Sequence, residues 1–373
     1  MEKDRIYSFN SKIYDVFQGA ISKKVFPGAA YGISVGRPEE RITLCETPGF
    51  CDYEGKKKVS PETFYDLASL SKPLATVLSL LCLCKDGKVK ATDRLVDYFP
   101  APADSEKGKI TIGQLLSHAS GLPAHREYYR ILLSLPRQER KERLLALLME
   151  EPLVCEPGTR SLYSDLGFML LGLLVEKLSG ESLENFYRKK VLTPLGLAMS
   201  IRFGPLPEGG GGEMSIAPGE YCQVRKKVLV GEVGDENAFA LGGVAGHAGL
   251  FGTITGVQAL VLHLLDQWQG REEHPNYLGS DLRFFLRRAA VPESTWALGF
   301  DTPSAVSSSA GSHLSPFSIG HLGYSGTSFW IDPTRELAMV LLSNRVHPRR
   351  DNEQIKQFRP LFHNLVVESL GLA

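Results

Sequence analysis

The chain has 373 residues, of which 43% are hydrophobic and 23% are charged, the composition of a globular protein with a substantial core. Its 42 Lys and Arg residues balance 42 Asp and Glu residues, so there is no electrostatic basis for binding nucleic acid or an anionic membrane. The longest apolar run, 74–84, is too short to span a bilayer, and the N-terminus shows no secretory signal. We therefore expect a cytoplasmic protein with no membrane span and with reduced cysteines.

The first part of the chain combines one helix with a hairpin and then becomes helical. Apolar residues at helical spacing predict an amphipathic helix over 5–24. Strands at 29–35 and 41–45 are joined by a turn at 36–40, which is a hairpin pattern. After residue 67 the sequence predicts a series of helices at 70–85, 111–118, 127–134, 137–150, 164–179 and 182–190.

The second part of the chain returns to strands. A glycine loop at 209–212 and a glycine cluster at 242–249 precede a helix at 255–269. A last helix at about 352–370 closes the chain. Between these two helices the sequence predicts strands at 296–300, 318–323, 328–332 and 337–343.

This order of elements predicts an α/β (α+β) fold. Strands at both ends of the chain indicate one antiparallel sheet built from N- and C-terminal segments, flanked by the terminal helices and joined to a helical subdomain. We expect a single domain over 1–373, with an α/β part at 1–68 and 290–373 and a mainly helical part at 69–289.

Ser69 and Lys72 form the most informative pair in the sequence. Three residues apart at the start of an apolar helical run, they place a hydroxyl and an amine on one face of a helical turn. A serine hydroxyl needs a base within reach to become a nucleophile, and a lysine can serve if its amine is kept neutral. The alternative is an N-cap serine followed by a solvated lysine.

Two further stretches carry groups suited to catalysis. Tyr163 lies in the loop Glu156–Asp165, just before a long helix, where a neighbouring cation would ease loss of its proton; the alternative is a core tyrosine. The segment Gly320–Thr327 reads as a strand whose glycines allow close approach of a substrate, and His321 within it could orient a substrate carboxylate or lie buried. His118 is interpreted as a helix end. The histidines show no metal-site spacing, so we expect no metal and no cofactor.

Together these stretches resemble the serine β-lactamase and penicillin-binding-protein superfamily, in its class C β-lactamase, DD-peptidase and esterase branch. The resemblance covers nearly the whole chain. Its three motifs match in order at Ser69-x-x-Lys72, at Tyr163-Ser164-Asp165 and at His321-Leu322-Gly323.

The resemblance implies a β-lactamase/transpeptidase-like fold with the site between the sheet domain and the helical subdomain. It implies that Ser69 is the acylated nucleophile and that Lys72 and Tyr163 are the base and acid pair. The backbone N–H groups of Ser69 and Tyr324 would form the oxyanion hole.

Two motif positions depart from the family pattern. Asp165 replaces the usual amide, and a carboxylate there favours the charged form of Lys72 and moves the base role toward Tyr163. In the third motif Leu322 lacks a hydroxyl and His321 replaces lysine, which weakens recognition of a substrate carboxylate beside Gly323.

The sequence therefore predicts a serine hydrolase that works through an acyl-enzyme on a small ester or amide. One alternative is a DD-peptidase or β-lactamase acting on peptidoglycan peptides or β-lactams. Another, of a different class, is a non-catalytic penicillin-binding-like module that senses a ligand. The physiological substrate and the oligomeric state stay open.

Overall fold

The computed structural model describes residues 3–100, 105–207 and 214–373, so the predicted glycine loop at 209–212 lies outside the described residues. The helices of the described chain are α1 Lys3–Ser22, α2 Leu78–Lys85, α3 Ile112–Leu116, α4 Tyr129–Leu132, α5 Arg140–Glu150, α6 Asp165–Ser179, α7 Leu183–Tyr187, α8 Glu236–Ala240, α9 Ile254–Trp268, α10 Gly279–Phe285 and α11 Ile355–Ser369. The strands are β1 Ala29–Val35, β2 Ile42–Glu46, β3 Tyr65–Asp66, β4 Ile201–Phe203, β5 Tyr221–Cys222, β6 Lys227–Val228, β7 Leu250–Gly252, β8 Ile319–Leu322, β9 Ser328–Asp332 and β10 Leu337–Ser343.

The main sheet is antiparallel and joins the two ends of the chain, as predicted. Its five strands run in the order β2-β1-β10-β9-β8. In the centre Ile33 of β1 faces Leu44 of β2 on one side and Met339 of β10 on the other. Strand β10 is buried along its whole length, which explains why its sequence is a continuous apolar run rather than an alternating one.

Helices cover both faces of this sheet. On one face α1 packs against α11, where the ring of Phe17 stacks on Tyr31 with centroids 4.4 Å apart and meets Phe358 edge-on at 5.0 Å. On the other face α9 crosses β1 and β10. A side chain at Gly32 would collide with Gln258 of α9, so the missing Cβ lets this helix approach the strand closely.

A smaller sheet, which the sequence did not predict, has the order β3-β7-β4. Its strands are two or three residues long, too short to show an alternating pattern. The predicted strand at 296–300 is wrong. Gly299 has a φ of +90°, and Trp296 forms a single bridge to Asp301, so the segment is a tight turn.

The predicted helix at 70–85 consists of three successive helical types. A 3₁₀ turn at Ala68–Leu70 leads into a π-helical stretch at Lys72–Val77, and α2 follows. Pro73, which has no N–H to donate, lies near the start of the π-helical stretch. By length and composition Ala68–Lys85 could cross a membrane, but 78% of it is buried inside the protein, as expected for a core helix.

Candidate active site

A strained turn presents Ser69 at the wall of a cavity. Ala68, directly before it, has a φ of +48°, a conformation that non-glycine residues rarely adopt. Asp66 stabilises the turn, because its Oδ1 accepts a hydrogen bond from the Ala68 N–H at 2.8 Å. Leu67 N–H donates to the Leu250 carbonyl at 2.9 Å, which ties the turn to β7. The turn leaves Ser69 half-buried beside the cavity.

Lys72 is fully buried next to Ser69, as the sequence spacing predicts. Its Nζ lies 3.1 Å from Ser69 Oγ, 2.7 Å from Asp165 Oδ1 and 3.2 Å from the His247 carbonyl oxygen. An ammonium has three donors and no acceptor, so Lys72 can only donate to the oxygens around it. Burial is the largest single effect on the pKa of Lys72 and lowers it, but Asp165 and Tyr163 together outweigh burial and raise this pKa. Lys72 is therefore charged in this geometry.

Tyr163 completes a cluster with these two residues. It precedes α6, whose first turn is capped by Ser164. Lys72 Nζ lies 4.8 Å from the centroid of the Tyr163 ring, and the phenol oxygen interacts with both Lys72 and Ser69. Burial raises the pKa of Tyr163, and the Lys72 ammonium opposes this effect without cancelling it. The tyrosine is thus a neutral phenol at rest, with a cation beside it.

Sequence reasoning assigned no role at the site to His118 or Trp296, and both support Tyr163. His118 follows the end of α3 with a φ of +56°, and its Nδ1 accepts a hydrogen bond from the Ser164 N–H at 3.0 Å. Its ring lies 4.5 Å from Tyr163 and 4.5 Å from Trp296, measured between centroids. Burial lowers the pKa of His118 well below its usual value, so the imidazole is neutral. Residues far apart in sequence form this support, so no local pattern could have identified it.

Asp165 takes part in two interactions. Its Oδ1 pairs with Lys72, and its Oδ2 lies 3.5 Å from His125 Nδ1. Burial raises the pKa of Asp165, but Lys72 and His125 outweigh burial and hold this pKa well below its usual range. The hydrogen bond to Asp165 raises the pKa of His125. In this geometry the Asp165 carboxylate favours the ammonium form of Lys72, and the transfer of the base role to Tyr163 stays a prediction.

The glycine cluster at 242–249 supports Lys72 from the opposite side. The His247 carbonyl accepts from Lys72, and the Gly246 carbonyl accepts from Thr76 Oγ1 at 2.7 Å. The ring of His247 is buried, and its Nε2 lies 2.8 Å from Asp235 Oδ1. Nothing in the sequence indicates that this glycine cluster contacts the lysine, because the two segments lie 175 residues apart.

In the segment of the third motif, His321 is buried behind the cavity wall, whereas Tyr324 is exposed at the cavity. His321 is buried behind Tyr163, with ring centroids 6.1 Å apart and with Nδ1 2.8 Å from the Leu322 carbonyl oxygen. Burial lowers the pKa of His321 to about 3, so it is neutral. The structure thus places His321 behind the cavity wall, and a direct contact between His321 and a substrate stays a prediction. Tyr324 is exposed and lines the cavity.

Two backbone N–H groups at the cavity are free to bind an oxygen. Within the described chain, neither the N–H of Ser69 nor that of Tyr324 donates to a protein acceptor. The turn that carries Tyr324 packs directly against Leu67, because a Cβ on Gly323 would lie 2.7 Å from the Leu67 carbonyl. The nucleophile turn and the turn after β8 therefore form adjoining walls.

The cavity has a volume of about 340 Å³ and an acidic lining. Six residues with carboxyl groups line it: Asp66, Asp165, Glu220, Glu232, Asp235 and Glu236. Among the described lining residues Arg350 is the one arginine or lysine, and it already bonds Glu220 and Glu236. No group of three or more His, Cys, Asp or Glu side chains in the described ranges could hold a metal ion.

Comparisons with known proteins identify the class. The Beta-lactamase family model matches residues 15–361, and the chain belongs to this family. A protein of Escherichia coli strain K12, provisionally named a D-alanyl-D-alanine carboxypeptidase, is 32% identical over 310 residues, which are 78% of this chain and 71% of the relative. The N-acetylmuramyl-L-alanine amidase of Bacillus subtilis strain 168 is 30% identical over 373 residues, 93% of this chain and 80% of the relative.

Solved structures share the fold. The penicillin-binding protein homologue from Pyrococcus abyssi, described as octameric, has a TM-score of 0.71 at 19% identity, covering 97% of this chain and 77% of that one. EstCE1, described as a hydrolase with promiscuous acyltransferase activity, has a TM-score of 0.71 at 22% identity, covering 95% and 98%. The fold is β-lactamase/transpeptidase-like, as predicted, and the protein is a serine hydrolase of the β-lactamase and penicillin-binding-protein superfamily.

Proposed function

We propose that this enzyme cleaves a small ester or amide through a covalent acyl-enzyme on Ser69. Tyr163 takes the serine proton with Lys72 as its electrostatic partner, and the N–H groups of Ser69 and Tyr324 bind the oxyanion. The observation that carries the proposal is the convergence of Ser69 Oγ, Lys72 Nζ and the Tyr163 phenol at a cavity wall. These groups come from segments about 90 residues apart, so chance would rarely bring them together.

The protonation states of Lys72 and Tyr163 give these two candidate bases different roles. Lys72 is charged and its ammonium donates to the oxygens around it, so it has no lone pair to take the proton of Ser69 in this geometry. Tyr163 has an oxygen free to accept that proton once the phenol is ionised, and the Lys72 ammonium stabilises the phenolate. Tyr163 is therefore the proposed base and Lys72 its electrostatic partner.

The reaction then follows in two halves. Ser69 Oγ attacks the substrate carbonyl carbon as its proton passes to Tyr163, and the carbonyl oxygen becomes an oxyanion between the two N–H groups. Collapse expels the alcohol or amine, which takes the proton from Tyr163. Water then attacks the acyl-enzyme by the same route and releases the acid.

Charge in the cavity favours a neutral or cationic substrate. Arg350, the cation on the wall, is already paired with two glutamates, and neither neutral His321 nor Leu322 offers a carboxylate a charged partner. An anionic group would therefore meet carboxyl groups such as those of Asp66 and Asp235, and no arginine or lysine of the described lining is left unpaired to bind it. This supports an ester or amide over a substrate whose carboxylate must be bound beside the scissile bond.

A fluorophosphonate probe followed by intact-mass spectrometry tests the proposal. We expect one adduct on the wild-type protein, mapped by peptide analysis to Ser69, and none on Ser69→Ala. A protein that stays unlabelled, or labelling that persists in Ser69→Ala, would overturn the assignment. The first of these results would favour the non-catalytic ligand-sensing module instead.

A second candidate is an amidase acting on peptidoglycan fragments. The supporting observation is the similarity to the N-acetylmuramyl-L-alanine amidase of Bacillus subtilis over 93% of this chain. Incubation with an N-acetylmuramyl-L-alanine peptide and, separately, with a peptide ending in D-alanyl-D-alanine distinguishes this candidate from the DD-peptidase alternative. Release of the muramyl group in the first assay alone would favour the amidase.

A further inference from the structure

The turn after β8 carries one of the two free N–H groups at the cavity. It is closed by a hydrogen bond from the Gly323 N–H to the Thr327 carbonyl at 2.7 Å. The peptide unit between Gly323 and Tyr324 has its N–H at the cavity, and its carbonyl oxygen points to the opposite side, into the protein. Whatever binds that carbonyl also acts on the N–H, because both belong to one conjugated group.

A buried arginine binds that carbonyl. Arg359 of α11 is 6% exposed, and its Nη2 donates to the Gly323 carbonyl at 2.6 Å and to the Thr327 carbonyl at 2.7 Å. Within the described chain no carboxylate lies within ion-pairing distance of Arg359, and its Nε has no partner. Burial, with a smaller contribution from Arg345, lowers the pKa of Arg359 to about 9, so the guanidinium is still charged at neutral pH.

An unpaired buried cation is unfavourable for stability, so its position calls for an explanation. We propose that Arg359 is a positioning residue for the oxyanion hole: by binding the Gly323 carbonyl it fixes and polarises the peptide whose N–H, on Tyr324, receives the oxyanion. A hydrogen bond to a peptide carbonyl strengthens the N–H of the same peptide as a donor. The positive charge also favours negative charge on the other side of the peptide, in a region with little water.

Contacts of the neighbouring residues fit this role. Arg345 Nε donates to the Tyr324 carbonyl at 2.9 Å and its guanidinium lies 4.4 Å from the centroid of the Tyr324 ring, so the residue is held on both sides. At the second free N–H, that of Ser69, the Ala68 carbonyl accepts from Ser71 Oγ at 2.7 Å. In both peptides the carbonyl behind the free N–H is thus bound by a side-chain donor.

This inference rests on the proposed function. A series of substitutions at Arg359 distinguishes polarisation of the Gly323–Tyr324 peptide from a role of the side chain in packing alone. Arg359→Lys keeps the charge, Arg359→Gln keeps a neutral donor, and Arg359→Met keeps only the length of the side chain. Loss of a whole oxyanion donor lowers kcat by about 10²–10³-fold, so loss of its polarisation should cost less, about 10-fold. We expect kcat on p-nitrophenyl acetate to fall in the order Lys, Gln, Met, with KM changed less than two-fold.

A matched control is available in Arg140→Gln. Arg140 also bonds two carbonyl oxygens, those of Leu135 and Ala240, but it contacts none of the groups around Ser69. We expect this variant to keep the wild-type kcat. Melting temperatures are measured for every variant. If Arg359→Met does not fold, the comparison of kcat between Arg359→Lys and Arg359→Gln tests the role of the charge.

The outcomes separate this inference from the proposed function. If the wild-type protein is labelled at Ser69 and folded Arg359→Gln labels and turns over at the wild-type rate, the role of Arg359 is rejected and the acyl-enzyme stands. Equal losses of kcat in the Lys and Gln variants would also reject it, because charge would then have no effect. A wild-type protein that is not labelled would reject the proposed function itself.

Discussion

Lys72 Nζ lies 2.7 Å from Asp165 Oδ1, and the lysine of this ion pair is fully buried. The carboxylate raises the pKa of Lys72 and also adds to the rise in the pKa of Tyr163. The first effect keeps Lys72 charged, and the second holds the proton on Tyr163, the group that must lose it before Ser69 can attack. Asp165 therefore sets the pH at which the cluster becomes competent.

Replacing this carboxylate should move the activity to lower pH. In Asp165→Asn the negative charge is gone, so the pKa of Lys72 and the pKa of Tyr163 both fall. An opposite charge at this distance shifts a pKa by about 1–3 units, so we expect the acidic limb of kcat/KM to move down by about that amount. The measurement is a pH–rate profile on a neutral p-nitrophenyl ester, between pH 5 and 10.

The control for this profile is His125→Gln, because His125 binds the other oxygen of Asp165 without touching Lys72. Loss of this partner leaves the carboxylate in place, so the large shift of the asparagine variant should not appear. An acidic limb that stays unchanged in Asp165→Asn would reject the idea that Asp165 controls the proton on the base.

Removing the Tyr163 hydroxyl should impair the chemical step rather than substrate binding. General acid–base catalysis contributes about 10²–10⁴-fold, so kcat of Tyr163→Phe should fall by that factor while KM changes little. The phenyl ring keeps its contacts with His118 and Trp296, so the fold around it should persist. Steady-state kinetics on the same ester checks this result.

Tyr128→Phe is a matched control for this variant. Tyr128 is also buried, and its hydroxyl donates to Glu151 Oε2 at 2.6 Å, a group that does not line the cavity. We expect its kcat to stay at the wild-type value even if its melting temperature falls. Comparable kinetic losses in both variants would mean that the effect of Tyr163→Phe is structural.

Part of this site could be predicted from the sequence. Ser69 and Lys72 lie on one turn, and such local spacing fixes relative positions without knowledge of the fold. The antiparallel sheet was predictable for a similar reason, because 328–332 and 337–343 match β9 and β10 residue for residue. The division of the chain into an α/β part and a helical part stays a prediction.

The rest depends on long-range contacts. The carbonyl of His247 reaches Lys72 across 175 residues, and the carbonyl of Gly323 reaches Arg359 across 36, so neither contact leaves a sequence pattern. The predicted strand at 296–300 fails for the opposite reason. Its apolar residues look like a strand, but Gly299 turns the chain and places Trp296 against Tyr163.

The charge of the cavity should determine which esters are hydrolysed. We expect p-nitrophenyl acetate to be hydrolysed at least 10-fold faster than mono-p-nitrophenyl succinate, whose carboxylate would meet acidic residues such as Asp235. By the same argument nitrocefin, which carries a carboxylate, should be a poor substrate. Rates are compared as kcat/KM, after correction for the rates of uncatalysed hydrolysis.

Raising the salt concentration provides the control for this comparison. If charge causes the preference, the ratio of kcat/KM for the acetate to kcat/KM for the succinate should fall as ionic strength increases, because salt screens charge interactions in a cavity open to solvent. Faster hydrolysis of nitrocefin than of the acetate would refute the esterase assignment and favour the β-lactamase alternative.

Stability should depend on pH through Asp66, beside the nucleophile turn. Burial raises the pKa of Asp66 to about 6, with smaller contributions from Glu220 and Asp235, although the N–H groups of Gly234 and Ala68 oppose the rise. Because the folded pKa exceeds the usual value of 3.8, the proton binds more tightly to the folded protein. The stabilisation is fully present below that usual value and is lost as the pH rises through 6.

Asp66→Asn isolates this contribution. Asp301 has a similarly raised pKa of about 6, but it is present in both proteins, so its effect cancels in the difference. Between pH 7 and pH 5 the wild type should gain about 1 kcal/mol of unfolding free energy relative to Asp66→Asn. Urea unfolding at both pH values gives this difference directly. A difference that is the same at both pH values would show that Asp66 is already ionised at pH 5, and the two backbone N–H groups would then outweigh its burial.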